Sequence, residues 1–79
     1  MSIRALNWSL LQNLDINEYK TLIFLADISD CFGRGSISLE YLGGQTHLGQ
    51  EEIKLCLKKL MDNKLLVIEK SEFILLINF

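Results

Sequence analysis

The 79-residue chain contains one histidine, His47, and two cysteines, Cys31 and Cys56, which lie far apart in sequence. No zinc-type or redox-type spacing can be assembled from them, and nothing in the sequence calls for a cofactor. There is no serine–histidine–aspartate or cysteine–histidine set either. General acid–base and nucleophilic chemistry therefore lack their groups, which makes an enzyme the least favoured class. Asp27 and Asp30 stand three apart near a helix end, a spacing that surface carboxylates often adopt without chemical meaning. Positive charge is also scarce: eight Lys and Arg face ten Asp and Glu, for a formal charge of −2 and a pI near 5.2. The net field of such a chain repels polyanions. The apolar run at residues 73–79 is far too short to cross a bilayer, and no signal peptide opens the chain. A cytoplasmic protein with reduced thiols and no membrane partner is expected.

What the chain does have is apolar residues, 49% of the total, with a mean hydropathy of +0.24. Residues 1–79 make one domain, and a chain of this length buries only roughly 60% of its unfolded surface. Apolar surface left outside so small a core implies a protein partner or a homodimer.

Organisation centres on Ser36–Asn63. Ile53, Cys56, Leu57 and Leu60 fall at i, i+3, i+4 and i+7, one face of a helix that starts near Gln50. Gly49 serves as its cap, and Glu51 and Glu52 suit the positive end of its dipole. A shorter helix precedes it, capped by Ser38 and burying Leu39 and Leu42, with Gly43 where the two helices approach. Gly44 has no such reason to be glycine. Thr46-His47-Leu48-Gly49 links the pair, Leu48 being the apolar plug and His47 the residue at positive φ. Two strands follow, Leu65–Lys70 and Phe73–Phe79, around a tight Ser71-Glu72 turn. The predicted fold is α+β: a winged helix-turn-helix of three helices plus a short C-terminal hairpin, with an extra N-terminal helical turn.

Upstream, residues 1–14 carry Ile3, Leu6, Trp8, Leu10, Leu11 and Leu14, enough for a helical turn with Trp8 as packing anchor. Asp15 and Glu18 fit a capping box for a helix from about Ile16 to Asp30. Tyr19, Leu22, Ala26 and Ser29 form its core face. Phe24 and Ile28 point nearly the other way, to be covered by Ile3, Leu6 or Trp8 or, in the sharper alternative, by a dimer seam. Gly33 and Gly35 bracket Arg34 in a turn, and Ser36-Ile37 make a short first strand. Phe73, Leu75, Ile77 and Phe79 share one face of the last strand while Ile74 and Leu76 share the other. A strand apolar on both faces, at a sheet edge, is open to β-addition or to another molecule.

The opening octet MSIRALNW, the run Leu14-Asp15-Ile16-Asn17-Glu18, the helix ending Leu25-Ala26-Asp27, and Ser38 to Leu60 with Gly43, Thr46, Leu48 and Leu57 resemble the N-terminal winged-helix domain of phage and plasmid replication-initiation proteins. The resemblance implies that the second helix of the motif reads DNA, commonly through Arg or Thr at the positions of Glu51 and Glu52 and Arg at that of Leu55. Here those positions hold two carboxylates and a leucine, and Lys54, Lys58, Lys59, Lys64 and Lys70 are cancelled by Glu51, Glu52, Asp62, Glu69 and Glu72. The counterion-release contribution that drives nonspecific DNA binding is then small.

Two functions follow. The favoured one is a stand-alone mobile-element protein that acts through protein contact at Glu51, Glu52, Leu55, Lys58, Asp62, Ile74 and Leu76. Its origin makes an inhibitor of a host factor the natural class, such as a defence complex in the manner of anti-CRISPR proteins. The alternative is a DNA-binding transcription or replication regulator using Lys54, Lys58, Lys59 and Arg4.

Overall fold

The computed structural model describes residues 3–77. Along the chain run α1 (Ile3–Leu10), α2 (Ile16–Ile28), β1 (Arg34–Ser36), α3 (Leu39–Thr46), α4 (Gln50–Asp62), β2 (Leu66–Glu69) and β3 (Glu72–Leu75). The described residues thus form an α+β arrangement of four helices and one antiparallel three-stranded sheet, ordered β1-β3-β2. The expected N-terminal turn is a full helix of eight residues, which packs on α2. No helix among the described residues is long and apolar enough to cross a membrane.

α2 starts at Ile16, as expected, with Asp15 at the N-cap, but the capping box is not formed. The Asp15 side chain makes no cap hydrogen bond, and Glu18 is buried instead, 7% exposed. The helix also stops two residues short of Asp30. Ser29 turns extended, and both its N–H (3.3 Å) and its Oγ–H (2.7 Å) donate to the carbonyl of Ala26, closing the last turn. The buried face holds Thr21, Leu22, Leu25 and Ala26, whereas Tyr19 lies at its margin. Phe24 and Ile28 are half-buried and pack against the core. Of the residues expected to cover them, Trp8 is buried and Leu6 half-buried, but Ile3 is 72% exposed and covers nothing.

Asp30 builds the loop after α2. Its Oδ1 accepts from the N–H of Phe32 (2.8 Å) and of Arg34 (3.0 Å), and its own N–H donates to the Arg34 carbonyl (2.8 Å). Gly33, at φ +78°, completes the reversal in a conformation side chains resist. This short circuit starts β1 at Arg34, two residues before the expected Ser36, and registers Gly35 opposite Phe73. A Cβ at Gly35 would stand 2.7 Å from the Phe73 ring. Phe73 therefore fills the space that position 35 leaves.

The helix pair follows the sequence closely. The Ser38 Oγ accepts from the Tyr41 N–H (3.1 Å), His47 adopts φ 61°, and Gly49 caps α4 with extended backbone. Ile53, Cys56, Leu57 and Leu60 are all buried, as is Leu42, with Leu39 and Leu48 half-buried. A Cβ at Gly43 would meet the Leu48 carbonyl at 3.4 Å and Ile53 Cδ1 at 3.7 Å, so the approach is close but leaves room. α4 ends with Lys64 at φ 60°, where the Lys64 N–H donates to the Met61 carbonyl and the Leu65 N–H to the Leu60 carbonyl. Those two bonds satisfy carbonyls that the helix end would otherwise leave open.

The hairpin corrects two expectations. Its turn is Lys70-Ser71, one residue earlier than expected, with Lys70 at φ 59° and Glu69 paired to Glu72. β3 is the central strand, flanked by β1 and β2, rather than an open edge. Its ladder extends on both sides, with the Leu75 N–H donating to the Gly33 carbonyl and the Leu76 N–H to the Leu65 carbonyl. Strand addition at β3 is thereby excluded, because its amides and carbonyls are already paired. Phe73 and Leu75 point inward and are buried, and Ile77 packs on the core; Phe79 lies outside the described residues.

Two glycines separate packing from propensity. Gly35→Ala is expected to cost about 1–3 kcal/mol in urea unfolding because the methyl overlaps Phe73. Gly44→Ala, with nothing within 4 Å of the added carbon, is expected to stabilise by about 0.5–1 kcal/mol. The Asp30 carboxyl is held below its ordinary value by the Arg34 and Phe32 N–H groups. A lowered folded-state value contributes stability above the unfolded value and loses it as pH falls through the folded one. Asp30→Asn, which keeps an acceptor oxygen, should remove this part of the acid dependence in unfolding measured below pH 5.

Candidate interaction surface

α4 presents one face to the core and another to solvent, because its buried residues recur at 3.6-residue spacing. Glu51, Leu55, Lys58 and Asp62 form the outward stripe, flanked by Glu52, Lys54 and Lys59, and all seven are exposed. Glu51 and Glu52 lie in the first turn, where the unpaired amides of the helix favour negative charge. Three carboxylates and three ammonium groups share this face. Among the described residues no ion pair joins them. Leu55, 53% exposed, sits in their midst.

Beside the stripe, α4 and the start of α2 enclose a groove of about 380 Å³. Asp15, Ile16 and Glu18 line it from α2, and Glu52, Leu55 and Lys59 from α4. Ile16, 66% exposed, and Leu55 form apolar walls, while Glu18 lies deep between them. Cys56 borders the same groove. Burial pushes its thiol above the ordinary range, which Thr21 and Lys59 offset in part and the nearby Glu18 and Glu52 charges reinforce.

The outer face of the sheet is a second surface. Arg34, Ile74 and Val67 are neighbours across the three strands, with Leu76 next along β3. Ile74 is half-buried, whereas Val67 and Leu76 are exposed. A depression of about 440 Å³ near the hairpin turn is lined by Arg34, Glu69, Lys70, Glu72 and Ile74. Its two cations and two carboxylates balance.

The residues expected to contact a protein therefore fall on two surfaces. Glu51, Glu52, Leu55, Lys58 and Asp62 share α4, whereas Ile74 lies on β3 and Leu76 just beyond its end. Of the alternative DNA-contacting set, Lys54, Lys58 and Lys59 are exposed on α4, but Arg4 is on α1, which packs on α2. Glu18 was missed as a surface feature, having been assigned to the capping box. Its signal was register: it stands four residues before Leu22 and seven before Leu25, on the buried face of α2. Among the described residues, no cluster of His, Cys, Asp and Glu could hold a metal ion.

Thiol reactivity separates the two cysteines. In the folded protein Cys31, which is exposed, should react readily with iodoacetamide, whereas buried Cys56 should react far more slowly at pH 7.5 and catch up only in urea. Equal folded-state rates, read by mass spectrometry, would contradict the packing described for α4. No protein-family model, curated protein or solved structure matches this chain.

Proposed function

We propose that the chain is a winged-helix protein that acts by protein–protein contact through the outer face of α4. Supporting the fold reading, a helix, a strand, two helices joined by a short turn and a hairpin follow one another, and the first strand completes the hairpin's sheet. α1 is then an N-terminal addition. The hairpin turn has two residues, so the wing has little reach.

The observation that carries the functional reading is the leading end of α4. Its exposed Glu51 and Glu52 stand where a groove-reading helix meets phosphates and base edges, and a carboxylate pair repels a polyanion there. A lone glutamate can accept from cytosine, but two in succession on a face of zero net charge supply no phosphate attraction. A protein partner fits the same face better: a leucine ringed by charges of both signs has the apolar centre and polar rim of a protein interface. Together with the resemblance of the opening octet, this favours an inhibitor of a host protein, such as a defence complex.

One observation favours the alternative, a DNA-binding regulator: Lys54, Lys58 and Lys59 are all exposed on α4. It requires a protein–duplex complex in a solution mass measurement near physiological salt.

Capture from a host lysate decides the main reading at one residue. A partner retained by the parent chain should be lost with Leu55→Asp and kept with Leu11→Ser, an exposed leucine that is not on α4. Recovery of no partner, or a partner indifferent to Leu55→Asp, would reject contact through α4.

A further inference from the structure

The carboxylate of Glu18 is the group in this chain whose burial is least explained by folding. Its residue is 7% exposed, and the capping bond that would have justified it is not formed. Among the described residues neither a hydrogen bond nor an ion pair engages it, yet its oxygens are not sealed from solvent. Glu18 lines the groove between α2 and α4. Burying most of an acidic side chain without a partner brings the fold no evident gain, so a glutamine would serve it at least as well.

We propose that this groove receives an arginine side chain from the protein partner, its guanidinium paired with Glu18. Charge complementarity selects a cation: Asp15, Glu18 and Glu52 line the groove against Lys59 alone. Shape selects arginine over lysine. Ile16 and Leu55 wall the groove with exposed aliphatic carbon, which suits the weakly hydrated faces of a planar guanidinium, and its paired N–H donors match a carboxylate edge. The burial of Glu18 then has a purpose, since a carboxylate shielded from water binds a cation more strongly than one on the open surface. This inference rests on the protein-contact reading and names the group on the partner that α4 would meet.

Acetyl-arginine amide is a sufficient probe, with acetyl-citrulline amide as its neutral counterpart. In amide NMR titrations, arginine amide should shift the resonances of Ile16 to Glu18 and of Glu52 to Lys59 in a saturable way, and citrulline amide should not. Glu18→Gln should weaken this response by about tenfold or more, as expected for loss of a charged hydrogen-bonded pair. Its melting temperature should be no lower than the parent's, which separates lost binding from lost folding. Glu51→Gln, on α4 but outside the groove, should leave the response unchanged. Equal responses to arginine and citrulline, or an unchanged response in folded Glu18→Gln, would overturn the proposal. Either result leaves the reading of α4 as a protein-contact face to be decided by the Leu55→Asp capture, in which no arginine probe is used.

Discussion

The contact between Phe73 and the bare backbone of Gly35 sets the geometry of this small protein. Phe73 is fully buried, and its ring sits where any side chain at position 35 would have to go. Because Gly35 and Phe73 are register partners, that contact also fixes β1 against β3, and β3 in turn carries β2. The sheet closes the floor of a core to which α2 contributes Leu22 and Leu25, α3 Leu42, and α4 Ile53 and Leu60. A slip of one residue in β1 would bring Arg34 or Ser36 to that contact and turn the alternation of the strand inside out.

Upstream of Gly35, the Asp30 loop delivers it to the right place. A single carboxylate oxygen that accepts two backbone N–H groups, with a glycine at positive φ between them, ends the helical segment and starts the strand within a few residues. This device was not legible beforehand. Gly33 and Gly35 were evident as a break, but an aspartate bonding two and four residues ahead cannot be distinguished from any other surface aspartate by type or spacing. The extension of β1 to Arg34 and the early stop of α2 have the same origin, local side-chain hydrogen bonds that periodicity does not register. Helix α4, the Ser38 cap and the positive φ of His47 were legible because each rests on short-range rules: apolar recurrence, a hydroxyl at a helix start, and tolerance of the left-handed region. The central position of β3 was missed because strand order is a long-range property, and a C-terminal strand can lie at an edge or in the middle with the same residues.

Legibility of the candidate surface divides along the same line. The exposed stripe of α4 could be projected from its buried stripe, and all seven of its residues lie where the projection put them. The groove could not, because it exists only where the start of α2 meets α4. Glu18 shows the difference most clearly. As part of a local motif it was an ordinary helix-start residue; in the packed molecule it is a buried residue lining a groove with an excess of acids. Leu55, for its part, stands exposed amid six charges that form no ion pairs with one another. Both are the features on which the proposed partner contact rests.

The electrostatic character of α4 carries the functional account, and fluorescence anisotropy of a labelled duplex over a series of salt concentrations examines it most directly. With Glu51 and Glu52 at the helix tip and no net charge along the face, the parent protein should bind duplex DNA only at very low salt and release it well below physiological ionic strength. Tight binding near physiological salt, with affinity falling steeply as salt is raised, would mean that the lysines dominate this face and would contradict the account.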